Sequence, residues 1–292
     1  MGIKQIELTV AAPAPHMVGD GFRVHNFIPS VYRLDMLRMD PFIMLDYNSK
    51  MMFRPTDTPR GVGVHPHRGF ETVTIAYKGK VAHHDSAGNS GIIGEGEVQW
   101  MTAASGILHK EYHEESFSKS GGLFQMVQLW INLPAKFKMT QPKYQAIDRS
   151  KIKSYTLPNS AGHVEVIAGN YKGIDGPAQT FTPLHAYNAH IEENCSSEFE
   201  FPAHYNTLLI VIEGEVTVNQ SEKIETNHLV LFENKGETFH IQALEKSCVL
   251  VLSGEPINEP IIANGPFVMN TKTELIQAFR DYHAGKFGYL ED

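Results

Sequence analysis

The sequence predicts an all-β protein of the sandwich or barrel type with one helix near the end of the chain. Short β-rich runs, interrupted by Gly, Asn and Pro, dominate from about residue 60 to residue 255. Patterns typical of helices are few in this region. Many short strands separated by turn residues are typical of β-sandwiches and β-barrels. An internal similarity and one helical pattern refine this prediction.

Strand alternation is clearest in the segment ETVTIAY. Here Val73, Ile75 and Tyr77 alternate with smaller Thr and Ala side chains, which is the period of a half-buried strand. Similar runs occur at residues 123–131 and 207–216. We therefore expect a sheet strand at each of these three places.

Two of these segments resemble each other. TVTIAYKGKV at residues 72–81 and TLLIVIEGEV at residues 207–216 share Thr, Ile, Gly and Val at the same four places, so that position 72 corresponds to position 207. Four identities in ten β-rich positions also arise by chance, but the chain length is near that of two domains of ~150 residues. We interpret the similarity as two copies of one β-unit.

One amphipathic helix is predicted close to the end of the chain. Thr271 and Glu274 form a capping-box pattern, and Gly285 lies where a C-terminal cap is expected. The apolar residues of this segment fall on one helical face: Leu275, Ala278, Phe279 and Tyr282. We expect that face to pack against the outside of a barrel.

A domain boundary is predicted in the segment AIDRSKIKSYTLPNSAG, which is polar and has no sustained periodicity. We therefore divide the chain into an N-terminal domain over residues 1–147 and a C-terminal domain over residues 148–292. Each part is long enough to bury a core of its own.

Charge and composition argue against several classes of function. The formal net charge is -8 and no run of Lys or Arg forms a basic patch, so direct nucleic-acid binding is disfavoured. No apolar run approaches the ~20 residues of a membrane span, and the segment MGIKQIELTVAAPAP at the start lacks the layout of a signal peptide. The only cysteines, Cys195 and Cys248, are expected to be reduced thiols of a cytoplasmic protein.

Two short segments suggest a metal site. In GVGVHPHRGFE, His65 and His67 are two positions apart and share one strand face, and Glu71 would share it too if Gly69 did not interrupt the strand. A single pair of this kind also occurs in ordinary exposed loops. It is therefore a weak indication of a metal site when taken alone.

The second segment is GILHKE at positions 106–111, and its histidine is His109. His109 and Glu111 again share a face if the segment is a strand, whereas Lys110 points away. Two such strands lying side by side would bring three imidazoles and a carboxylate round one ion. This set leaves open coordination positions, as in non-haem iron(II) oxygenases, although imidazole also suits zinc, copper and nickel. His113 shares the same face and is the alternative ligand.

Several conspicuous residues have ordinary structural interpretations. Trp100 and Phe124 are expected in the core, and Met101 too, although Gln99 or Met101 could line a cavity. Residues 83–85, with two histidines and an aspartate, precede the turn SAGN and are expected on a solvated loop.

The chain resembles the pirin family of the cupin superfamily. The resemblance rests on HPHRGFETVT, VQWMTAASGILHKE, VQLWINLP and, near the end, GEPINEP, NGPFVMNT and DYHAGKFG, and it covers most of the chain. It implies a bicupin, that is, two jelly-roll β-barrels, with one mononuclear Fe(II) site in the N-terminal barrel.

The resemblance also implies the ligand set. The pirin ligands correspond to His65, His67, His109 and Glu111 in this sequence. Cupins in general more often use the glutamate that corresponds to Glu71, and both carboxylates are present here. The spacing of histidine and glutamate after GIL favours Glu111, which leaves Glu71 a supporting role. Lys110 departs from the small residue that is usual in pirins.

The internal similarity makes a prediction for the C-terminal barrel. The offset that takes position 72 to position 207 takes His65, His67 and Glu71 to Glu200, Pro202 and Asn206, which cannot rebuild the ligand set. The C-terminal domain is therefore expected to lack a metal site. Its histidines without matched spacing are expected to be ordinary surface or hydrogen-bonded residues: His204, His228 and His240.

The resemblance implies two functions. One is a quercetin 2,3-dioxygenase reaction, in which a flavonol is cleaved with O2 and carbon monoxide is released, with Glu111 taking the proton of the flavonol 3-hydroxyl. The alternative is a redox-sensing regulator, in which the iron state controls binding to a protein partner such as a transcription factor or a metabolic enzyme. A cupin scaffold for an unrelated small ligand is a third possibility. We expect a monomer that binds neither nucleic acid nor membranes directly.

Overall fold

The structure is a computed structural model that describes residues 2–220 and 223–291. Strands dominate it, as the sequence predicts. The strands are β1 Ile6–Ala11, β2 His16–Val18, β3 Phe22–Ile28, β4 Phe42–Phe53, β5 Gly61–His67, β6 Phe70–Lys78, β7 Val81–Asp85, β8 Ser90–Ile93, β9 Val98–Thr102, β10 Ile107–His113, β11 Gly122–Asn132, β12 Lys143–Ile147, β13 Lys153–Thr156, β14 Gly162–Ala168, β15 Asn170–Tyr171, β16 Ile174–Asp175, β17 Leu184–Ile191, β18 Ser196–Glu200, β19 Asn206–Glu213, β20 Glu215–Val218, β21 Ile224–Glu225, β22 His228–Phe232, β23 Thr238–Ala243, β24 Ser247–Gly254, β25 Ile262–Asn264 and β26 Phe267–Met269.

Helices are short, apart from the one at the end of the chain. They are α1 Met36–Met39, α2 Glu115–Ser120 and α3 Lys272–His283, with single 3-10 turns at Ala135–Phe137 and Pro158–Ser160. The capping box of α3 is confirmed, because the Thr271 hydroxyl accepts from the Glu274 N–H and the Glu274 carboxylate accepts from the Thr271 N–H. Gly285 follows the helix with φ of 73°, as its predicted capping role requires.

The chain forms two compact units. The first unit comprises Pro13–Arg149 and Ile257–Asp292, and the second comprises Ser150–Pro256 together with Met1–Ala12. The chain passes from the first to the second close to the predicted boundary at residues 147 and 148. The predicted division placed the start of the chain in the N-terminal domain and its end in the C-terminal domain. In the structure, β1 pairs with β22 of the second unit and α3 packs against β26 of the first, so each end belongs to the other unit.

The first unit contains two main antiparallel sheets. The larger has the strand order β12-β9-β6-β11-β4-β3-β2, and the smaller has the order β5-β10-β7-β8. Phe22, Phe53, Ala76 and Phe124 belong to a buried cluster of this unit. The apolar face of α3 packs on Phe267 and on other residues of the same unit, as the pattern of that helix predicts.

The second unit repeats this organisation. Its larger sheet has the order β1-β22-β19-β24-β17-β14-β13, and its smaller sheet has the order β18-β23-β20-β21. Its core is rich in aromatic rings, including Tyr187, Phe199, Phe201, Phe232 and Phe239. Aromatic and branched side chains on alternate positions are what a packed two-sheet core requires.

The similar segments found in the sequence occupy equivalent places in the two units. β6 and β19 are each third in the order of a seven-stranded sheet, and each ends in a glycine with positive φ, Gly79 at 82° and Gly214 at 86°. The strand orders of the two units correspond except at one edge, where β12 of the first unit lies in the place that β1 takes in the second. The structure therefore supports two copies of one β-unit.

Two further sequence expectations can be compared with the structure. Cys195 and Cys248 are both free thiols, as expected. Within residues 2–220 and 223–291, no helix has the length and apolar character needed to cross a membrane.

Candidate metal centre

The three predicted histidine ligands come together in the first unit. β5 and β10 are antiparallel neighbours, and their register places His65 directly opposite His109. The ring centroids are 4.8 Å apart for His65 and His67, 4.2 Å for His65 and His109, and 4.7 Å for His67 and His109. One ligand atom from each of the three lies within 4.8 Å of the others. Side chains on neighbouring strands that lie this close together can bind one ion jointly.

The alternation predicted for the second segment is confirmed. In β10, Ile107, His109 and Glu111 are buried, whereas the residues between them are only partly buried. The register with β5 shifts between His109 and Glu111, so the strand is irregular at the site. Lys110 points away, as expected from parity, and its ammonium donates to the Glu291 carbonyl over 2.7 Å.

Glu111 is held by amide and hydroxyl donors. Its Oε1 accepts from Gln99 Nε2 at 2.8 Å and from Thr74 Oγ1 at 3.3 Å, and its Oε2 accepts from Gln128 Nε2 at 2.9 Å. Ligand atoms of Glu111, His109 and His83 lie within 4.8 Å of one another. His109 therefore belongs both to the group of three predicted histidines and to the group that contains Glu111.

His67 and His109 each have a free ring nitrogen and are held in the neutral form. His67 Nδ1 and His109 Nε2 are buried and have no hydrogen-bond partner, which is costly unless another group satisfies them. Burial, reinforced by His65, holds the pKa of both rings well below its usual value. His65 Nδ1 bonds the Gly63 carbonyl at 2.8 Å, which leaves its Nε2 available. Neutral imidazoles with one fixed nitrogen suit a transition metal.

His83 corrects one sequence interpretation. The prediction that residues 83–85 form a solvated loop was wrong, because they form the end of β7 and His83 is fully buried. His83 Nδ1 lies 3.5 Å from His109 Nδ1 and accepts from Gln99 Nε2 at 3.3 Å, and its Nε2 lies 3.4 Å from Asp85 Oδ2. The alternation Val81, His83, Asp85 was the signal that could have revealed a buried strand face.

Glu71 lies in a different sheet from His65 and His67. Gly69 turns the chain between β5 and β6 with φ of 94°, and a Cβ at this position would lie 1.9 Å from the Val268 carbonyl oxygen. Glu71 Oε1 accepts from Thr102 Oγ1 at 2.7 Å. Glu71 is not in the groups of potential metal ligands found among residues 2–220 and 223–291. This placement favours Glu111 as the carboxylate ligand.

The burial of Glu71 leads to a pH prediction. Burial raises the pKa of Glu71 from 4.5 to about 7, against the hydrogen bond from Thr102. Its contribution to the free energy of unfolding is therefore fully present below about pH 4.5 and is lost as the pH rises through about 7. The loss amounts to about 3 kcal/mol at most.

We expect Glu71→Gln to remove this pH dependence. Urea unfolding of both proteins at several pH values checks it, because the other titrating groups contribute equally to each and cancel in the difference. The stability of Glu71→Gln relative to the native protein should increase between about pH 5 and pH 8. A difference that stays constant over this interval would contradict the shifted carboxyl.

His113, the alternative ligand, is not in the groups of potential metal ligands found among residues 2–220 and 223–291. It is buried on the same strand face as Glu111, but its Nε2 bonds the Gly21 carbonyl at 2.8 Å. Its ring packs between aromatic side chains at centroid distances of 4.6 Å to Phe53 and 4.7 Å to Phe124. His113 therefore belongs to the aromatic core beside the site.

A cavity of about 310 Å³ opens beside the predicted ligands. This is at the lower end of the roughly 300–1,000 Å³ typical of small-molecule sites. Its wall includes His65, His67 and Glu111, and the remaining lining is mostly apolar: Val18, Phe22, Val24, Met44, Asp46, Val62, Gln128, Trp130 and Pro266. A depression of about 560 Å³ lies around His84 and Tyr112, but it contains none of the predicted ligands.

Two polar residues of this cavity were missed by the sequence analysis. Asp46 lies opposite Gln128 in the pairing of β4 with β11, and both line the cavity. Burial raises the pKa of Asp46, although Asn26 donates to its Oδ1 over 2.7 Å. Gln128 lies in the segment VQLWINLP, but no pattern placed either residue beside the histidines, because they reach the cavity from other strands. Gln99 and Met101, suggested as cavity residues, are fully buried and are not among the residues lining this cavity, but Gln99 donates to Glu111.

Strand register shows which residues of the second unit correspond to the ligands. His65 pairs with His109 in the first unit, and Phe199 pairs with Phe239 at the corresponding place in the second. Two residues along each strand, His67 corresponds to Phe201 and Glu111 to Ile241. The predicted offset is therefore one position too long for β5, and a shift of one position exchanges the two faces of a strand.

These four side chains are apolar and buried in the core of the second unit. They offer no ligand atom, which supports the expectation that this position holds no metal; the expectation itself remains a prediction. His204, His228 and His240 are ordinary hydrogen-bonded or paired residues, as expected.

Two related β-units in one chain, one of them with imidazoles and a carboxylate directed at a cavity, define a double-barrel protein with a candidate mononuclear metal centre. The pirin family model matches residues 21–131, and the model of the pirin C-terminal cupin domain matches residues 186–288. The chain therefore belongs to the pirin family, and the bicupin fold expected from the sequence is confirmed.

Similar proteins cover nearly the whole chain. A Pseudomonas aeruginosa protein with the provisional name quercetin 2,3-dioxygenase is 44% identical over 272 residues, which are 93% of this chain and 94% of that protein. A pirin-like protein of Solanum lycopersicum is 36% identical over 274 residues, covering 93% of this chain and 89% of that protein. A crystal structure titled quercetin 2,3-dioxygenase from Acinetobacter baumannii has a TM-score of 0.93 and 45% identity, and the match covers 99% of this chain and 100% of that chain.

Proposed function

We propose that this protein is a metal-dependent dioxygenase that cleaves a flavonol such as quercetin with O2 and releases carbon monoxide. The observation that carries the proposal is the cluster of His65, His67 and His109, in which His67 Nδ1 and His109 Nε2 are buried without a hydrogen-bond partner, beside a cavity that Glu111 also lines. The names of the similar bacterial proteins support the same reaction.

We propose Fe(II) as the metal, held by His65, His67, His109 and Glu111. The donor set fits, because three neutral imidazoles and one carboxylate match the ligand preference of non-haem iron, and other divalent transition metals share that preference. When bound, iron would supply Lewis acidity and the capacity to activate O2. The second unit would act without a metal at the equivalent barrel position.

The residues of the cavity would bind and orient the flavonol. Its aromatic rings can lie against apolar walls such as Phe22, Val24 and Trp130, and these walls exclude water from the reacting ring. Trp130 is itself fixed by stacking on Phe70, at a centroid distance of 4.2 Å. An aromatic substrate of limited thickness is therefore the class that this cavity favours.

Glu111 would accept the proton of the flavonol 3-hydroxyl. Its two oxygens are oriented by Gln99 and Gln128, so the carboxylate presents a fixed direction to the cavity. A general base has to lie within hydrogen-bond reach of the proton that it accepts, and these donors hold the carboxylate at the cavity wall where the hydroxyl would lie. The proton then resides on a Glu111 oxygen at the cavity wall.

Anaerobic loading with Fe(II), followed by quercetin and air, tests the proposal. We expect iron-dependent loss of flavonol absorbance with one carbon monoxide released for each flavonol consumed, and no such turnover in His109→Ala. His228→Ala is a matched control, because His228 belongs to the second unit and its Nδ1 bonds the Thr226 carbonyl.

Protein with one bound iron that releases no carbon monoxide would overturn the flavonol reaction. That result would favour the alternative function, in which the iron state controls binding to a protein partner. The expected monomeric state, the cytoplasmic location and the absence of direct nucleic-acid binding remain predictions from composition.

A further inference from the structure

A second cluster of potential metal ligands lies in the second unit. His163 and Glu165 belong to β14, and His190 belongs to the neighbouring strand β17. The register places His163 directly opposite His190, and Glu165 is two positions along on the same face. One ligand atom from each of the three lies within 4.8 Å of the others.

This cluster is on the opposite face of the sheet from the barrel core. Val164, Val166 and Ala189 alternate with the cluster residues and are buried in the core of the second unit. The cluster is therefore distinct from the barrel position where Phe199 and Phe239 replace the histidines. His163 and Glu165 have the same spacing as His109 and Glu111, but the sequence analysis did not single them out, and His190 meets them only through the pairing of β14 with β17.

The distances are close to those of a metal site. Glu165 Oε2 lies 3.3 Å from His190 Nε2, and Glu165 Oε1 lies 3.9 Å from His163 Nε2. A tetrahedral ion with metal–ligand bonds of 2.0–2.1 Å holds neighbouring ligand atoms roughly 3.3 Å apart. The two rings are stacked nearly parallel, with centroids 4.6 Å apart and an angle of 17° between them, so one ring has to rotate before both can direct a nitrogen at the same ion. Side-chain rotation of His163, 42% exposed, can close the remaining gap.

The surroundings of the cluster favour positive charge. Glu165 is nearly buried, so its carboxylate is poorly screened by water. Cys248 lies opposite His190 on the next strand and hydrogen-bonds its ring. A divalent cation placed between the three groups would supply this positive charge.

We propose that His163, Glu165 and His190 form a second metal site, specific for a divalent transition metal of the zinc class. Two imidazoles and one carboxylate are a ligand set found in three-residue zinc sites, whereas calcium and magnesium prefer oxygen ligands alone. The fourth position is left to water. Cys248 orients His190 in the way that an outer partner usually orients a metal-bound imidazole. This inference does not depend on the proposed dioxygenase reaction.

Titration of the metal-free full-length protein with ZnCl2, followed by calorimetry and metal analysis, tests the site. We expect two equivalents for the native protein. His163→Ala and His190→Ala should each bind one equivalent, with the affinity of the second site reduced by at least about tenfold. His109→Ala should lose the other equivalent, and the combination of His109→Ala with His190→Ala should lose both.

His240→Ala is the matched control. His240 is a half-exposed histidine of the same unit, 3.1 Å from Glu198, and should leave both equivalents in place. Circular dichroism establishes that each variant is folded, and His163→Asn replaces His163→Ala if the latter does not fold. A second measurement is the visible spectrum of Co2+ bound to His109→Ala, whose ligand-field bands should disappear on adding His190→Ala.

Three outcomes would overturn the proposal. The native protein could bind a single equivalent that His109→Ala removes, or His163→Ala and His190→Ala could retain both equivalents. Equal loss of zinc in His240→Ala would mean that the second equivalent binds to exposed histidines without a defined site.

Discussion

His109→Ala is expected to abolish tight metal binding in the first unit while leaving the barrel folded. His109 is the residue shared by both groups of potential ligands, so its loss leaves neither group complete. Loss of an outer partner alone costs up to about 100-fold in metal affinity, and loss of a direct ligand should exceed this. The metal-free barrel should tolerate the change, because the buried Nε2 that it removes has no hydrogen-bond partner.

Trp130 offers a direct measurement of this site. Its ring lies 5.1 Å from that of His67, so we expect Fe(II) bound to the first unit to quench its fluorescence. Anaerobic titration should show quenching in the native protein and none in His109→Ala at the same concentrations. Fluorescence separates this site from metal bound elsewhere on the chain. Quenching of equal depth and midpoint in both proteins would contradict the assignment of His109.

Glu111→Ala and Glu71→Gln separate the two candidate carboxylates. We expect Glu111→Ala to weaken metal binding strongly, because Glu111 shares a group with His109, whereas Glu71 bonds Thr102 in the other sheet. Glu71→Gln keeps a similar shape and serves as the control. If Glu111→Ala retained iron and Glu71→Gln lost it, Glu71 would be the ligand and the assignment would be wrong.

The ligand cluster could be predicted from the sequence because alternate residues of a strand point to the same face of the sheet. His65 and His67 share a face, His109 and Glu111 share another, and a side-by-side return of the two strands is enough to join them. His83, Gln99 and Gln128 could not be found in this way. They reach the ligands through sheet pairing that no local pattern specifies, so their roles appear only once the register is known.

Residues 1–12 belong to the second unit and residues 257–292 belong to the first. Local sequence patterns could not predict this assignment of the two chain ends. Residues 6–11 have an ordinary strand pattern, and nothing in them specifies β22, near the other end of the chain, as a partner. The predicted offset between the two copies failed by one position for the same reason. A strand can shift its register by one position at a turn or bulge, and the sequence similarity, which covers only residues 72–81, did not extend to the ligand strands on either side of it.

Phe239→Ala is expected to destabilise the second unit far more than His109→Ala destabilises the first. Phe239 occupies the place that corresponds to His109, but it is fully buried and packs against Phe199, Phe201 and Phe232. Truncation of a buried phenylalanine to alanine removes apolar contacts and leaves a cavity, which typically costs about 3–5 kcal/mol. We expect a loss of that size in the free energy of unfolding, measured by urea denaturation of the metal-free protein.

Comparing these two variants tests whether the same barrel position supports core packing in the second unit and metal binding in the first. In the second unit the position is filled by a stacked aromatic pair, with Phe199 and Phe239 at a centroid distance of 5.4 Å, so its side chain supports the core. In the first unit the same position holds His65 and His109, and the buried His109 Nε2 has no hydrogen-bond partner. Phe239→Leu, which retains apolar volume, should recover most of the stability. If Phe239→Ala and His109→Ala lost similar stability without metal, the first-unit histidines would be core residues and their proposed role as ligands would lose its structural basis.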